Sequence, residues 1–561
     1  MSMPTLYQEE LDTCNAASNQ EKISWFCHFF LPFLILLTPF LHFLSYHAYC
    51  ITCPETGVII SGLAILASVG SFIFIKGWTR LYIFFIAILT TIFIDIQFRW
   101  IDNLYEAIGA LVFFSALAWG LKNNFALIAT VVFGTFIAVT FATLNPHSID
   151  KYIFATTPSP APHSETPPRL IHIILDEHIG IEGIPTGIPG GHALQDNLID
   201  FYRSYGFQLS SNAFSHYFLT SHSIPSLMNF SNERDQQVNI DLDHQKGEHH
   251  KLLHNTYFES LDRAGYQINV LAPQYIDYCL HSRIEIQNCN QYNSFTMNVL
   301  QDLDIPISQK VNLLVSGYLK KSYIKNQVVK KAYLFFQISG THIIGTSLPP
   351  WSWENSPSSL RMHSLHTLNQ LKTLGDNIMA TPPGNALIVH LLFPHYPYIT
   401  DAKCSVRNPK DWKSKNTRMG GNTAESRDTH YQLYFEQISC LYLKLDGIFK
   451  HMQSAKIYDD SIIILHGDHG SRISIRDPLV KHRDVLTEED ITDHFSTLFA
   501  VKMPGKPWSY DSTPQPLEQL LSNVTTDITG VSSTIVQNQP ENFVYLEDKK
   551  QLVPIPYPMS H

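Results

Sequence analysis

The sequence predicts an N-terminal block of five transmembrane helices followed by an α/β domain with a mainly parallel central sheet. Two observations carry this. Charge is spread unevenly over the 561 residues. Positions 1–145 hold 5 Lys+Arg and 8 Asp+Glu, about 9% charged, whereas positions 146–561 hold 34 and 41, about 18%. Beyond residue 169, short apolar runs alternate with helical patterns, the signature of βα units.

Five apolar stretches cover 24–46, 57–75, 81–98, 105–121 and 125–144. Most approach the roughly 20 residues a helix needs to cross a bilayer. The first is too long and too aromatic for a cleaved signal peptide, and further spans follow directly. Lys22, Lys76, Arg80 and Lys122 fall on one side of the block, and the opposite loops hold only Arg99. The positive-inside rule therefore puts residues 1–23 in the cytoplasm and everything after the fifth span outside. Trp78, Trp100 and Trp119 lie near span ends, as interface anchors do. Asp95 and Glu106 lie near the outer ends, where a solvated carboxylate is at least as good a reading as a functional one.

A Pro-rich stretch over 145–169 reads as a stiff linker. It leads into an outer domain over 170–561. Within it Arg169–Leu175, Gly265–Leu271, Ala386–Phe393, Ser461–Leu465 and His494–Val501 read as strands. His254–Ala264 and Tyr431–Met452 read as helices. The net charge of -10 argues against a nucleic-acid partner. Eight cysteines are too few for a disulfide scaffold. In an oxidising compartment Cys279 and Cys289 form the best candidate pair, with free buried thiols as the alternative.

The residues that carry chemistry fall at the carboxyl ends of strands, where open α/β sheets bind ligands. Asp176-Glu177 follow the first strand, and Asp468-His469-Gly470 follow the Ile-Ile-Ile-Leu strand. Carboxylates and an imidazole converging there suit Zn²⁺ or Mn²⁺. In Phe218-Leu-Thr-Ser-His-Ser-Ile-Pro-Ser-Leu-Met228, three hydroxyls precede Pro225: Thr220, Ser221 and Ser223. Pro225 suits the first turn of a helix, and one hydroxyl there would serve as its N-cap. His395 sits just beyond a strand, and His482 lies fourteen residues before Ser496.

Asp176-Glu177, the Thr-x-x-Ser-x-Pro element and Asp-His-Gly, in that order, resemble the sulfatase branch of the alkaline phosphatase superfamily. The five preceding spans make the layout similar to lipid A phosphoethanolamine transferases and lipoteichoic acid synthases. The resemblance implies an alkaline-phosphatase-like fold, one or two divalent ions, and a two-step displacement in the bacterial inner membrane. It implies a membrane lipid as donor and an envelope glycan or lipid as acceptor. Thr220 matches the nucleophile, ahead of Ser223 and Ser221. Asp176, Asp468 and His469 match metal ligands, with Glu177 as a further candidate and the Thr220 oxygen coordinated beside them. His395 and His482 match histidines that bind the transferred group, hold a second metal or protonate the leaving group. His494 competes with His482. Leu227 stands where formylglycine sulfatases need Arg, which argues against that chemistry. Two other readings remain: a sulfatase-like or phosphodiesterase-like hydrolase using water, and a non-catalytic binding or sensor protein, which predicts lost metal ligands.

Overall fold

The computed structural model describes residues 5–98, 100–121, 123–143, 166–232, 239–241, 249–252, 254–279, 284–294, 296–319, 362–412, 422–531, 542–548 and 552–558. Most of the linker lies outside them. The chain divides into two compact units. One comprises 1–149 with 296–360, and the other 150–295 with 361–561.

The first unit holds five helices, α1 (Thr5–Tyr46), α2 (Pro54–Ile75), α3 (Thr79–Phe98), α4 (Leu104–Leu121) and α5 (Asn123–Thr143). Each contains a segment of 18 to 25 residues that is long and apolar enough to cross a membrane. Leu31, Ile35, Ile86, Leu89 and Phe133 pack in its interior, while Ile65, Val112, Val131 and Phe141 are exposed, as lipid-facing side chains would be. Trp78, Trp100 and Trp119 are all more than half exposed. Glu106 is a capping residue. Its carboxylate accepts from the Asp102 and Asn103 N–H groups, and its own N–H donates to the Asn103 side chain. Asp95 is buried rather than solvated.

The helix Ile307–Tyr318 groups with this unit, so the stretch 170–561 does not form one continuous domain. The reason is its apolar side. Leu313 and Leu314 are fully buried, and Tyr318 meets Phe40 and Phe43 edge-on, each at 5.5 Å. In the intervening loop, Cys50 and Cys53 are disulfide-bonded.

The second unit is built on an eight-stranded sheet. Its strands are β1 (Leu170–Leu175), β2 (Gln208–Ser210), β3 (Gln267–Pro273), β4 (Asn288–Tyr292), β5 (Asn385–Leu391), β6 (Ile462–Gly467), β7 (Phe499–Lys502) and β8 (Ser509–Asp511). Their order across the sheet is β8-β2-β7-β6-β1-β5-β3-β4. Only β7 runs antiparallel to its neighbours. β1 lies at the centre and every one of its residues is buried. Ile171, Ile173 and Leu175 face a core shared with the helices Gly191–Ser204, His363–Ala380 and Ala424–Ser454. Leu170 and Ile174 face another, shared with Thr220–Met228, Thr256–Arg263 and Leu517–Thr529. An uninterrupted apolar run is what a strand covered on both faces requires.

The last expected strand is shifted. His494 and Phe495 close a helix, Glu488–Phe495, and β7 begins only at Phe499. A capping box between Thr487 and Asp490 starts that helix and overrides the apolar run. β2, β4 and β8 escape the sequence reading because they are short or polar. Cys279 and Cys289 are joined, as are Cys404 and Cys440.

Three histidines stand on the same sheet face as Ile174: His172, His390 and His466. His466 Nδ1 lies 2.7 Å from the Gly467 carbonyl and must donate to it. Its Nε2 therefore accepts from His172 Nε2, 2.6 Å away, and His172 Nδ1 accepts from the Tyr257 hydroxyl at 3.0 Å. The chain is satisfied with both rings neutral. Burial accordingly pushes the pKa of His466 down to about 4 and that of His172 well below its usual value. Tyr257→Phe removes one donor and strands a buried nitrogen. Chemical denaturation should show the α/β unit losing about 1–3 kcal/mol.

Candidate metal centre

The parallel register of β1 and β6 pairs Leu175 with Gly467. The next residue on each strand is a carboxylate, so Asp176 and Asp468 emerge side by side. His469 follows Asp468. One ligand atom from each of the three residues lies within 4.8 Å of the others, and all three are buried.

The His469 tautomer follows from its partner. Nδ1 lies 3.0 Å from the Gly470 carbonyl, which can only accept. Neutral His469 thus presents the Nε2 lone pair to Asp468 Oδ2 at 3.2 Å and to Asp176 Oδ1 at 4.0 Å. A lone pair facing two carboxylates is repelled unless a cation or a proton stands between them. Asp176 Oδ1 and Asp468 Oδ2 are buried without a hydrogen-bond partner among the described residues. These orphaned oxygens and one imidazole nitrogen fit Zn²⁺ or Mn²⁺. Burial raises both carboxyls, Asp176 well above the usual range, and neighbouring Asp468 and Glu177 raise it further.

Thr220 joins this group. It is the first residue of the helix Thr220–Met228, and its Oγ1 lies 3.1 Å from His469 Nε2. The helix begins after Leu219 with no side-chain cap. None of the three hydroxyls therefore plays the expected capping role. Pro225 sits sixth in the helix rather than in its first turn. Ser223 Oγ is buried without a partner among the described residues, and Ser221 is buried next to Thr220.

Glu177 turns away from the triad to Arg472. Both residues have left-handed backbone, with φ of 63° and 55°. Arg472 Nε donates to Glu177 Oε1 at 2.5 Å and Nη2 donates to the same oxygen. His395 lies beside them, with Nε2 3.3 Å from Arg472 Nη2 and 3.7 Å from Glu177 Oε1. The Tyr396 carbonyl fixes His395 Nδ1 as the protonated nitrogen.

His482 is elsewhere. It is half-buried on a short helix, Val480–Val485, with Nδ1 on the Asp477 carbonyl. Among the described residues no hydrogen bond or ion pair joins it to the triad. His494 lies against the site's supports. It is fully buried, its ring meets Phe218 at 5.4 Å, and its carbonyl accepts from Gly470 N–H. A Cβ at Gly470 would stand 2.5 Å from the Asp493 carbonyl, so the third residue of Asp-His-Gly has no room for a side chain.

Sequence reasoning missed three participants. Arg472 follows the Asp-His-Gly motif by two residues. His390, within β5, brings Nε2 to 3.7 Å from Asp176 Oδ2 while Tyr278 holds Nδ1 at 3.1 Å. Its only signal is one imidazole inside an apolar strand. Arg427 grips buried Asp493 through Nε at 2.8 Å and Nη2 at 3.0 Å, and the Asp493 carbonyl accepts from Arg472 N–H at 2.7 Å.

No family model and no curated protein matches this sequence. Among solved structures, the chain is similar to the C-terminal periplasmic domain of EcEptC from Escherichia coli in complex with Zn. The identity is 13% over 70% of this chain and 93% of that one, with a TM-score of 0.37. It is similar to the lipoteichoic acid synthase LtaP from Listeria monocytogenes, at 11% identity over 70% and 86%, TM-score 0.35. A protein in the alkaline phosphatase superfamily from Vibrio parahaemolyticus shares 10% identity over 70% and 76%, TM-score 0.38. The likeness is distant, and the function is read from the side chains above.

Two variants test this arrangement. In chelator, Asp176→Asn removes a repelled buried charge and should raise the melting temperature at neutral pH. Because the wild-type carboxyl is raised, it takes up its own proton as pH falls, and the gain should vanish in acid. With metal added, the wild type should be stabilised and the same variant should not. Arg427→Ala strands Asp493 and should cost about 3–5 kcal/mol in denaturation.

Proposed function

We propose that this protein is a membrane-anchored, metal-dependent enzyme that moves a phosphoryl-alcohol group through a covalent Thr220 intermediate. The reading is a phosphoethanolamine- or phosphoglycerol-type transferase, with a membrane lipid as donor and an envelope glycan or lipid as acceptor. The observation that carries it is the Thr220 hydroxyl at 3.1 Å from His469 Nε2, within the Asp176–Asp468–His469 group.

Asp176, Asp468 and His469 would hold the divalent ion, which when bound lowers the pKa of a coordinated hydroxyl and offsets charge on the transferred group. Thr220 stands at a helix N-terminus, where the backbone dipole also favours a negative oxygen. Its oxygen attacks phosphorus, the phosphorus–oxygen bond to the lipid alcohol breaks, and that alcohol leaves with a proton. An acceptor hydroxyl then attacks the phosphothreonine and Thr220 departs. His395 is the imidazole beside this group: its Nδ1–H is committed to the Tyr396 carbonyl and its Nε2 faces Arg472 Nη2 at 3.3 Å, so proton transfer through it requires that contact to open. His482 takes no part in this scheme. Ser221 and Ser223 remain alternative nucleophiles, but Thr220 alone of the three touches His469.

The basic residues Lys22, Lys76, Arg80 and Lys122 support a cytoplasmic N-terminus and an extracytoplasmic catalytic unit in a bacterial inner membrane. The pairs Cys279–Cys289 and Cys404–Cys440 suit the oxidising compartment that this orientation requires. Tethering next to the membrane raises the enzyme's local concentration against a lipid headgroup.

The test is the mass of the Phe214–Phe230 peptide from full-length protein purified from its native membrane. A phosphoryl-alcohol adduct on Thr220 is expected, and its mass names the group. Thr220→Ala should abolish the adduct and lower turnover by at least about 10³-fold. Formylglycine at Ser223, or full turnover without Thr220, would overturn the reading. Release of the free headgroup, with no transfer to an acceptor, would make the enzyme a hydrolase.

A further inference from the structure

We propose that Arg472 is the second cation of this centre, a substrate-binding residue for the anionic oxygens of the transferred group, and that the centre holds one metal ion. The proposal rests on the phosphoryl-transfer reading above and deepens it.

A second ion would need ligands beside the triad, and the side chains nearest to supplying them are Glu177, His395 and His390, whose Nε2 lies 3.7 Å from Asp176 Oδ2. The first two are already bridged, which leaves a single imidazole. Glu177 Oε1 accepts from Arg472 Nε and Nη2, and Oε2 accepts from the Tyr396 N–H at 3.4 Å. His395 Nε2 faces Arg472 Nη2 at 3.3 Å. The guanidinium therefore occupies the position in which a metal would join these two residues. Charge agrees: three buried carboxylates, Asp176, Glu177 and Asp468, are balanced by one divalent ion and one guanidinium.

The guanidinium is also equipped to bind a ligand. The Arg472 side chain is 12% exposed while Glu177 is sealed at 0%. Nη1 makes no hydrogen bond to any described residue, so a donor remains after Glu177 is satisfied. A planar fork with a spare N–H matches a tetrahedral oxyanion. Left-handed backbone at both Glu177 and Arg472 costs free energy, and such conformations persist where a site over-determines them. The Arg472 N–H on the carbonyl of Asp493, whose carboxylate Arg427 holds, supplies that determination.

The experiment uses the full-length chain in detergent, saturated with Zn²⁺ or Mn²⁺ and freed of excess. Metal content is read by mass spectrometry, and binding of inorganic phosphate by calorimetry. We expect one ion per wild-type chain. Arg472→Gln should keep that ion or gain a second on the freed Glu177 and His395, and should weaken phosphate about 10-fold or more. Arg472→Lys should weaken it less. Two ions per wild-type chain would overturn the proposal, whatever the variants do. Unchanged phosphate affinity in a metal-loaded Arg472→Gln chain would also overturn it. If Arg472→Gln fails to fold, Arg472→Lys decides in its place: wild-type affinity after loss of the fork overturns the role. A Thr220 adduct is read on the wild-type chain alone. Its absence would sink the proposed function, whereas its presence beside unchanged phosphate affinity would sink only the role of Arg472.

Discussion

Three carboxylates buried side by side are the constraint on which the rest of the α/β unit turns. Asp176, Glu177 and Asp468 lie at the carboxyl ends of β1 and β6, out of water, where like charges repel strongly. Such a cluster persists only if cations or protons offset it. The chain meets part of the demand itself by seating Arg472 on Glu177. Asp176 Oδ1 and Asp468 Oδ2, without a hydrogen-bond partner among the described residues, and the lone pair of His469 express the remainder.

Much of the surrounding structure serves to hold these groups in place. The loop after β6 is tied down twice: Gly470 N–H donates to the His494 carbonyl, and Arg472 N–H to that of Asp493. Asp493 is gripped in turn by Arg427 and Tyr431 from the long helix Ala424–Ser454. Tyr434 of the same helix donates to the Glu177 carbonyl at 2.6 Å. One helix therefore fixes both acidic strand ends. The C-terminal hairpin, β9 (Phe543–Glu547) and β10 (Leu552–Pro556), braces the approach to Thr220: Phe543 and Tyr545 stack on His216 and Tyr217. Tyr557, just beyond this hairpin, stacks on Phe214 at 4.3 Å.

Local patterns were legible where one strong physical signal dominates. The five apolar spans, the buried strand before Asp176 and the strand before Asp468 follow from length and hydrophobicity. They required no knowledge of neighbours. Short polar strands such as β4, and β8 at the sheet edge, carry no such signal, because their pairing is chosen by the strands beside them. The His494 stretch misled for the opposite reason: its apolar residues resemble a strand, but a capping box upstream starts a helix through them. His482 and His494 could not be separated by spacing, since only packing shows which imidazole lies against the site.

The sequence by itself determined the architecture of membrane block and α/β unit, and the triad Asp176, Asp468 and His469. Motif residues at strand ends are brought together by the parallel register alone. Only the tertiary structure decided which hydroxyl meets His469, that Glu177 belongs to Arg472, that His390 approaches Asp176, and that the helix Ile307–Tyr318 groups with the spans. Each of these depends on contacts between segments tens to hundreds of residues apart, and no periodicity in the chain encodes the direction in which a side chain turns once those segments meet.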